Sequence, residues 1–129
     1  MNSLSSILAW VVVLGLVQMV LAAMAAVGQR GLPWAASARD ENNGPLSGVG
    51  GRLQRAQANF LETFPLFAAL LLAVMVRNPG DGHALLGAQL YFWSRVAYVP
   101  VYAAGIPWLR TLIWLVSVIG IVLLLVAVF

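Results

Sequence analysis

The 129-residue sequence contains no cysteine, no lysine and only one histidine. Without cysteine, the chain can form no disulfide, no thiolate nucleophile and no cysteine-ligated metal centre. His83 stands in a Gly-Asp-Gly-His run that is typical of a solvated turn, so we expect no histidine-based metal site. The sequence therefore argues against metal chemistry and against cysteine chemistry.

Charged residues are also scarce, at 9% of the chain, whereas hydrophobic residues make up 62% and the mean hydropathy is +0.93. A soluble domain carries about 25% charged residues, so this composition indicates an integral membrane protein. The chain is long enough for four spans of about 20 residues with short connections. Its net charge of +3 comes from scattered arginines, several of them inside or beside apolar stretches, so we expect no nucleic-acid partner.

Four apolar segments are predicted to cross the membrane as helices, at residues 4–27, 53–76, 84–104 and 111–129. The connection 28–52 is rich in Gly, Pro, Asn and Ser, which predicts a loop with a short helical turn at most. We therefore expect one all-α transmembrane domain over residues 1–129, a four-transmembrane-helix bundle. A bundle of this size has little interior, which favours association with copies of itself.

The distribution of arginine predicts the orientation in the membrane. The first and third loops hold most of the arginines, whereas the opposite side, with both termini and the second loop, holds only Arg77. The positive-inside rule then places the first and third loops in the cytoplasm. We expect a multi-pass protein of the inner or plasma membrane with both termini outside the cytoplasm.

Segment 55–67 is where polar side chains run directly into a long apolar stretch. On a helix, Arg55, Asn59 and Glu62 fall at i, i+4 and i+7, so they share one face. A carboxylate in a membrane helix is costly and normally faces a protein interior or a wet cavity. The function should therefore be sought on this face.

A matching polar face is predicted on the third span, where Arg95, Tyr98 and Tyr102 fall at i, i+3 and i+7. A short turn joins the second and third spans, so we expect them to be antiparallel neighbours. A count of about 1.5 Å per residue from the cytoplasmic ends places three polar pairs about 15, 11 and 5 Å deep. The expected pairs are Glu62 with Arg95, Asn59 with Tyr98, and Arg55 with Tyr102.

Pairing with Glu62 would offset most of the insertion cost of Arg95, about 2.5–3.5 kcal/mol for one arginine at the centre of a membrane helix. The deepest pair can therefore be read as purely structural. The shallower pairs, together with Gln57, Arg30 and Arg110, supply many hydrogen-bond donors, whereas Glu62 is the one deep acid. A cavity with this surplus suits an anionic polar ligand that enters from the cytoplasm.

Two stretches carry a resemblance to a known family. Arg55-Ala-Gln-Ala-Asn59-Phe-Leu-Glu62-Thr-Phe-Pro65-Leu-Phe resembles the second-helix signature of the MAPEG family, the membrane-associated proteins in eicosanoid and glutathione metabolism. The version in the glutathione-conjugating leukotriene synthase of that family is the most similar in motif. The stretch from Tyr91 to Tyr102 is similar to the family's third helix, and Arg110 matches the arginine that opens its fourth. The resemblance covers roughly residues 26–115.

The resemblance implies a homotrimer of four-helix bundles in membrane lipid, with glutathione bound between neighbouring subunits near the cytoplasmic face. It implies that glutathione is held by Arg30, Arg55, Gln57, Asn59, Glu62, Tyr98 and Tyr102. We add Arg95, on the same polar face, to these cofactor-binding candidates. Arg110 would lie by the sulfur as the catalytic group, since a guanidinium near a thiol favours the nucleophilic thiolate.

Three functions follow as hypotheses. The first is an enzyme in which glutathione attacks or reduces a hydrophobic small-molecule electrophile, as a transferase or peroxidase. The second is a non-catalytic lipid- or glutathione-binding scaffold of the same fold. The third is a small multidrug/proton antiporter, although such transporters place their acid in the first span, which here has none.

Overall fold

The computed structural model describes residues 2–40 and 43–129, and within these ranges all regular secondary structure is helical. The five helices are α1 Leu4–Arg30, α2 Leu32–Ala35, α3 Gly48–Arg77, α4 Gly82–Ala103 and α5 Pro107–Val128. Among them α1, α3 and α5 are long and apolar enough to cross a membrane, whereas α4 falls outside that set. The all-α membrane character predicted from composition is therefore confirmed.

The helix ends follow from local chemistry. Ser3 caps α1 and Asp81 caps α4, each accepting a hydrogen bond from a backbone amide of the first turn. Pro107 opens α5, where its missing amide hydrogen is not needed. Gly31 ends α1 with φ +91°, a conformation that glycine adopts without a steric penalty. These ends set the short turns that bring the polar residues of neighbouring helices together.

The predicted loop 28–52 is shorter than expected. Helix α1 continues to Arg30, and α3 begins at Gly48, five residues before the predicted start of the second span. Glycines 50 and 51 are helical and buried: a Cβ atom at Gly50 would lie 2.5 Å from Gln29 Nε2, and one at Gly51 would collide with Leu46 O. These glycines therefore serve close packing rather than loop flexibility.

The four long helices pack on one another, and α4 and α5 approach each other most closely. A Cβ atom at Gly87 of α4 would lie 2.6 Å from the carbonyl oxygen of Gly120 on α5, and the reverse distance is also 2.6 Å. In the core, the Phe67 and Tyr91 rings stack with centroids 4.0 Å apart. Small residues at a helix crossing are typical of packing in membranes.

The loops α1–α3 and α4–α5 meet at one end of the helices. Gln29 Nε2 donates to Ser47 O at 2.8 Å, and Arg52 Nε donates to Ala103 O at 2.9 Å, so side chains join the helix ends to each other. We call this end the arginine end, defined by Arg30, Arg52, Arg55 and Arg110.

Candidate functional site at the arginine end

Tyr102 on α4 contacts arginines from the two helices beside it. Arg55 Nε donates to the Tyr102 hydroxyl at 3.2 Å, and its guanidinium carbon lies 5.9 Å from the ring centre. The Arg110 guanidinium carbon lies 4.8 Å from the same ring centre. The predicted contact of Arg55 with Tyr102 is thus present, and the short α4–α5 turn adds Arg110 to it.

Arg95 lies deeper and is only 1% exposed. Its Nη1 donates to Asn59 Oδ1 at 2.8 Å, and its guanidinium carbon lies 4.3 Å from the ring centre of Tyr98 and 5.8 Å from that of Phe60. Its Nε and Nη2 have no hydrogen-bond partner among the described residues. One amide and two ring faces therefore hold this buried cation.

The predicted pair of Glu62 with Arg95 is not formed, and this expectation was wrong. Glu62 is exposed and makes no ion pair within the described ranges, whereas the neighbouring Thr63 is buried with its Oγ1 2.8 Å from Tyr91 Oη. Arg55, Asn59 and Glu62 share one face of α3, and Arg95 Nη1 donates to Asn59 Oδ1, about one turn nearer the arginine end than Glu62. A depth count gives the height of backbone positions but not the direction in which a long arginine side chain extends.

Two cavities open beside this cluster. One, of about 190 Å³, is lined by Asn59, Tyr98, Arg110, Thr111 and Trp114. The other, of about 310 Å³, is lined by Arg52, Arg55, Tyr102, Gly105, Ile106, Pro107 and Arg110. Arg110 borders both cavities, so α5 contributes the side chain that joins them.

Sequence reasoning missed six of the lining residues, three of which form the α4–α5 turn Gly105-Ile106-Pro107. The sequence analysis does not identify Arg52 as a site residue, although its i, i+3 spacing with Arg55 places both on one face of α3. Thr111 and Trp114 follow Arg110 at the start of α5, a segment whose lack of charge gave no signal of a site. Only the packing of α5 on α3 and α4 shows that they face the cavity.

Arg30 and Gln57 lie elsewhere, on the side of α3 that meets α1. They line a groove of about 350 Å³ with Met19, Ala22, Ala23, Ala26, Trp34, Arg39 and Gln54. Gln57 lies two residues from both Arg55 and Asn59, about 200° around the helix, so it points to nearly the opposite side of α3. One chain thus brings together Arg55, Asn59, Arg95, Tyr98, Tyr102 and Arg110, and holds Arg30 and Gln57 apart from them.

The described lining of the two cavities carries positive charge without an acid. It includes three guanidinium groups, two phenols and one amide, and among the described residues no carboxylate. Guanidinium groups bind carboxylates through short, often paired, hydrogen bonds. A nearby guanidinium also lowers the pKa of a thiol and so increases its reactive thiolate fraction. The arrangement can therefore bind an anionic ligand and activate a thiol that it carries.

These features define a helical integral membrane protein with a cation-rich polar site at one end of its helices. The model of the MAPEG family matches residues 7–129, nearly the whole chain. The chain therefore belongs to the MAPEG family, and the resemblance drawn from segment 55–67 is confirmed at the level of the family. A search of curated protein sequences gives no match.

Proposed function

We propose that this protein is a glutathione-dependent membrane transferase or peroxidase that acts on a hydrophobic electrophile. The position of Arg110 supports this function most directly, because Arg110 borders both cavities and its guanidinium carbon lies 4.8 Å from the Tyr102 ring centre. Membership of the MAPEG family supports a glutathione- or eicosanoid-related role in a membrane. Within the family, the motif at 55–67 favours similarity to the glutathione-conjugating leukotriene synthase.

The side chains at the arginine end fit glutathione, which carries two carboxylates, an ammonium group, two amides and a thiol. Arginine and tyrosine donors suit its carboxylates and carbonyls, and the exposed Glu62 suits its ammonium group. Arg95 is buried and donates to Asn59, so we expect it to act by fixing the orientation of that amide. The proposed ligand set is Arg30, Arg55, Gln57, Asn59, Glu62, Tyr98 and Tyr102, with Arg95 behind it.

Bound glutathione supplies a sulfur nucleophile, which adds to an electrophilic carbon or reduces a hydroperoxide. We assign to Arg110 the stabilisation of the thiolate form of that sulfur. A free cysteine thiol has a pKa of about 8.5, so it is only a few per cent ionised at pH 7. Lowering this pKa by about one unit, within the range seen beside cationic side chains, would raise the thiolate fraction at pH 7 roughly tenfold.

The division of the candidate residues between two faces supports a homotrimer in which glutathione lies between copies. Arg30 and Gln57 line the α1-side groove, whereas Arg55, Tyr102 and Arg110 line the opposite cavities. A ring of identical chains brings one face of each copy against the other face of its neighbour. In this arrangement every site takes its α1-side residues from one chain and Arg110 from the next.

We further propose a four-span bundle in which α4 crosses the membrane with α1, α3 and α5. Apart from His83 in the first turn of α4, the large exposed side chains of the helix are apolar (Leu85, Leu86 and Trp93, the last at 58% exposure), and Arg95 is shielded inside. Arginine is concentrated at the arginine end, so the positive-inside rule places that end in the cytoplasm and both termini outside. Glutathione would then reach the site from the cytoplasm and the electrophile from the lipid.

Calorimetry with glutathione on the detergent-purified protein, with thiol ionisation followed by ultraviolet absorbance, tests this function. We expect wild type to bind glutathione with a thiolate signal at pH 7, and Arg110→Ala to lose most of that signal, roughly tenfold. Arg77→Ala removes an arginine at the opposite end and should behave as wild type.

Two other outcomes of this experiment would contradict a catalytic function. Binding without ionisation would favour a non-catalytic scaffold that holds glutathione or lipid. If no glutathione binds at millimolar concentration, the polar side chains at the arginine end have a structural role only, and the multidrug/proton antiporter becomes the leading hypothesis.

A further inference from the structure

Trp34, in the short helix α2, carries two guanidinium groups over its indole ring. The guanidinium carbon of Arg30 lies 4.8 Å from the ring centre, and that of Arg39 lies 4.6 Å from it. Indole is the side chain over which a cation is held most favourably. We call Arg30, Trp34 and Arg39 the tryptophan cluster. It gathers two cations against one ring.

The backbone holds Arg39 in this position. Its φ of +61° is the only positive φ of a non-glycine residue in the described ranges. Its amide donates to Ser37 Oγ at 3.1 Å, and its Nη2 donates to Ala35 O at 3.2 Å. Ser37 Oγ in turn donates to Trp34 O at 2.6 Å. The turn after α2 is thus closed by hydrogen bonds that fix both Trp34 and Arg39.

No described acid neutralises the cluster. Neither Arg30 nor Arg39 makes an ion pair with any described carboxylate, and Asp40 next in the chain is exposed. Arg30 Nη2 donates to Gly44 O and Arg39 Nη2 to Ala35 O, which leaves each guanidinium with further N–H groups to donate. The cluster is therefore built to accept an anionic group.

The cluster lies in the same groove as Gln57. Arg30, Trp34, Arg39, Gln54 and Gln57 together line about 350 Å³ at the arginine end. Two of these five, Arg30 and Gln57, belong to the proposed glutathione ligands, whereas Trp34, Arg39 and Gln54 were not singled out by the sequence.

We propose that the tryptophan cluster forms the α1-side half of the glutathione site, with Arg39 binding one of the two carboxylates of glutathione. This inference rests on the proposed function and extends it to a residue in the first loop. Trp34 serves as the ring against which Arg30 and Arg39 are both held. Arg39 is thus an affinity-determining residue and takes no part in activating the thiol.

The test measures binding by calorimetry for wild type, Arg39→Ala and the matched control Arg77→Ala. We expect Arg39→Ala to bind glutathione at least about tenfold more weakly, since a hydrogen bond to a charged group is lost. Arg39→Lys keeps the charge but loses the planar fork, so it should fall between the two. The thiolate absorbance per bound glutathione should stay at the wild-type value in Arg39→Ala.

Two analogues separate a ligand contact from a structural effect. One is the glycine ethyl ester of glutathione, and the other is γ-aminobutyryl-cysteinyl-glycine, which lacks the carboxylate of the γ-glutamyl residue. One analogue should bind wild type and Arg39→Ala equally, because the group that Arg39 holds is missing from it. If both analogues keep the full difference between the two proteins, Arg39 acts on structure and the inference is overturned.

Failure of the inference and failure of the proposed function give different results. If wild type and Arg77→Ala bind no glutathione, the proposed function fails. If wild type, Arg77→Ala and Arg39→Ala bind it equally, the function stands and this inference fails. If Arg39→Ala keeps its affinity for glutathione but loses phosphatidylglycerol retained in native mass spectrometry, the cluster binds a lipid phosphate, which also overturns the inference.

Discussion

Arg95 is the buried charged residue behind the cavities, and it donates to Asn59, one of their lining residues. A lone arginine at the centre of a membrane helix costs about 2.5–3.5 kcal/mol, and here it is 1% exposed. Its environment is a hydrogen bond to Asn59 and the ring faces of Tyr98 and Phe60. Because Asn59 also lines the cavity beside Arg110, the buried cation fixes a side chain that faces the ligand.

Removal of the Asn59 acceptor is therefore expected to destabilise the protein. Asn59→Leu leaves the Arg95 guanidinium without its hydrogen bond and should cost about 1–3 kcal/mol, seen as a lower melting temperature in detergent. Asn78→Leu, in the exposed turn at the other end, is the control and should melt near wild type. Adding Arg95→Met to Asn59→Leu should recover most of the loss, because no buried charge remains. A wild-type melting temperature for Asn59→Leu would contradict this role.

At the scale of helices, the packing of α4 on α5 depends on a close crossing at Gly87 and Gly120. The Cβ atom that alanine would add at Gly87 meets the backbone carbonyl of Gly120, an atom that cannot move aside as a side chain can. This crossing also sets where α5 begins relative to α4. The first turn of α5 carries Arg110 to Tyr102, so helix packing positions the proposed catalytic group.

Gly87→Ala is accordingly expected to lower stability by about 1–3 kcal/mol, measured by thermal unfolding in detergent. Alanine in a helix is ordinarily about 1 kcal/mol more favourable than glycine. A loss of stability in Gly87→Ala would therefore indicate crowding against Gly120. Gly28→Ala in α1, where nothing lies within 4 Å of the added atom, should be neutral or stabilising. Equal melting temperatures for the two variants would contradict the close crossing.

The sequence predicted helices and faces better than contacts. The contact of Arg55 with Tyr102 follows from helical periodicity and a short turn, and the structure contains it. The Glu62–Arg95 pair fails because the long Arg95 side chain extends to Asn59, about one turn away on the same face of α3, and a depth count does not give that direction. The approach of Arg39 to Trp34 depends on a positive φ in a loop, for which the sequence carries no periodic signal.

At the scale of the whole molecule, the proposed site is incomplete in one chain. Arg110 and Tyr102 line one face, and Arg30 and Gln57 line another. We propose that glutathione binds between copies, where the two faces meet.

Complementation between two defective variants tests that claim most directly. Arg30→Ala damages only the α1-side face and Arg110→Ala only the other, so each alone should bind little glutathione as thiolate. Co-expressed in equal amounts, the two chains should restore roughly a quarter of the wild-type thiolate sites, since random mixing in a ring leaves that share of interfaces intact. Wild-type binding with no recovery in the mixture beyond the single variants would show that the site does not lie between copies.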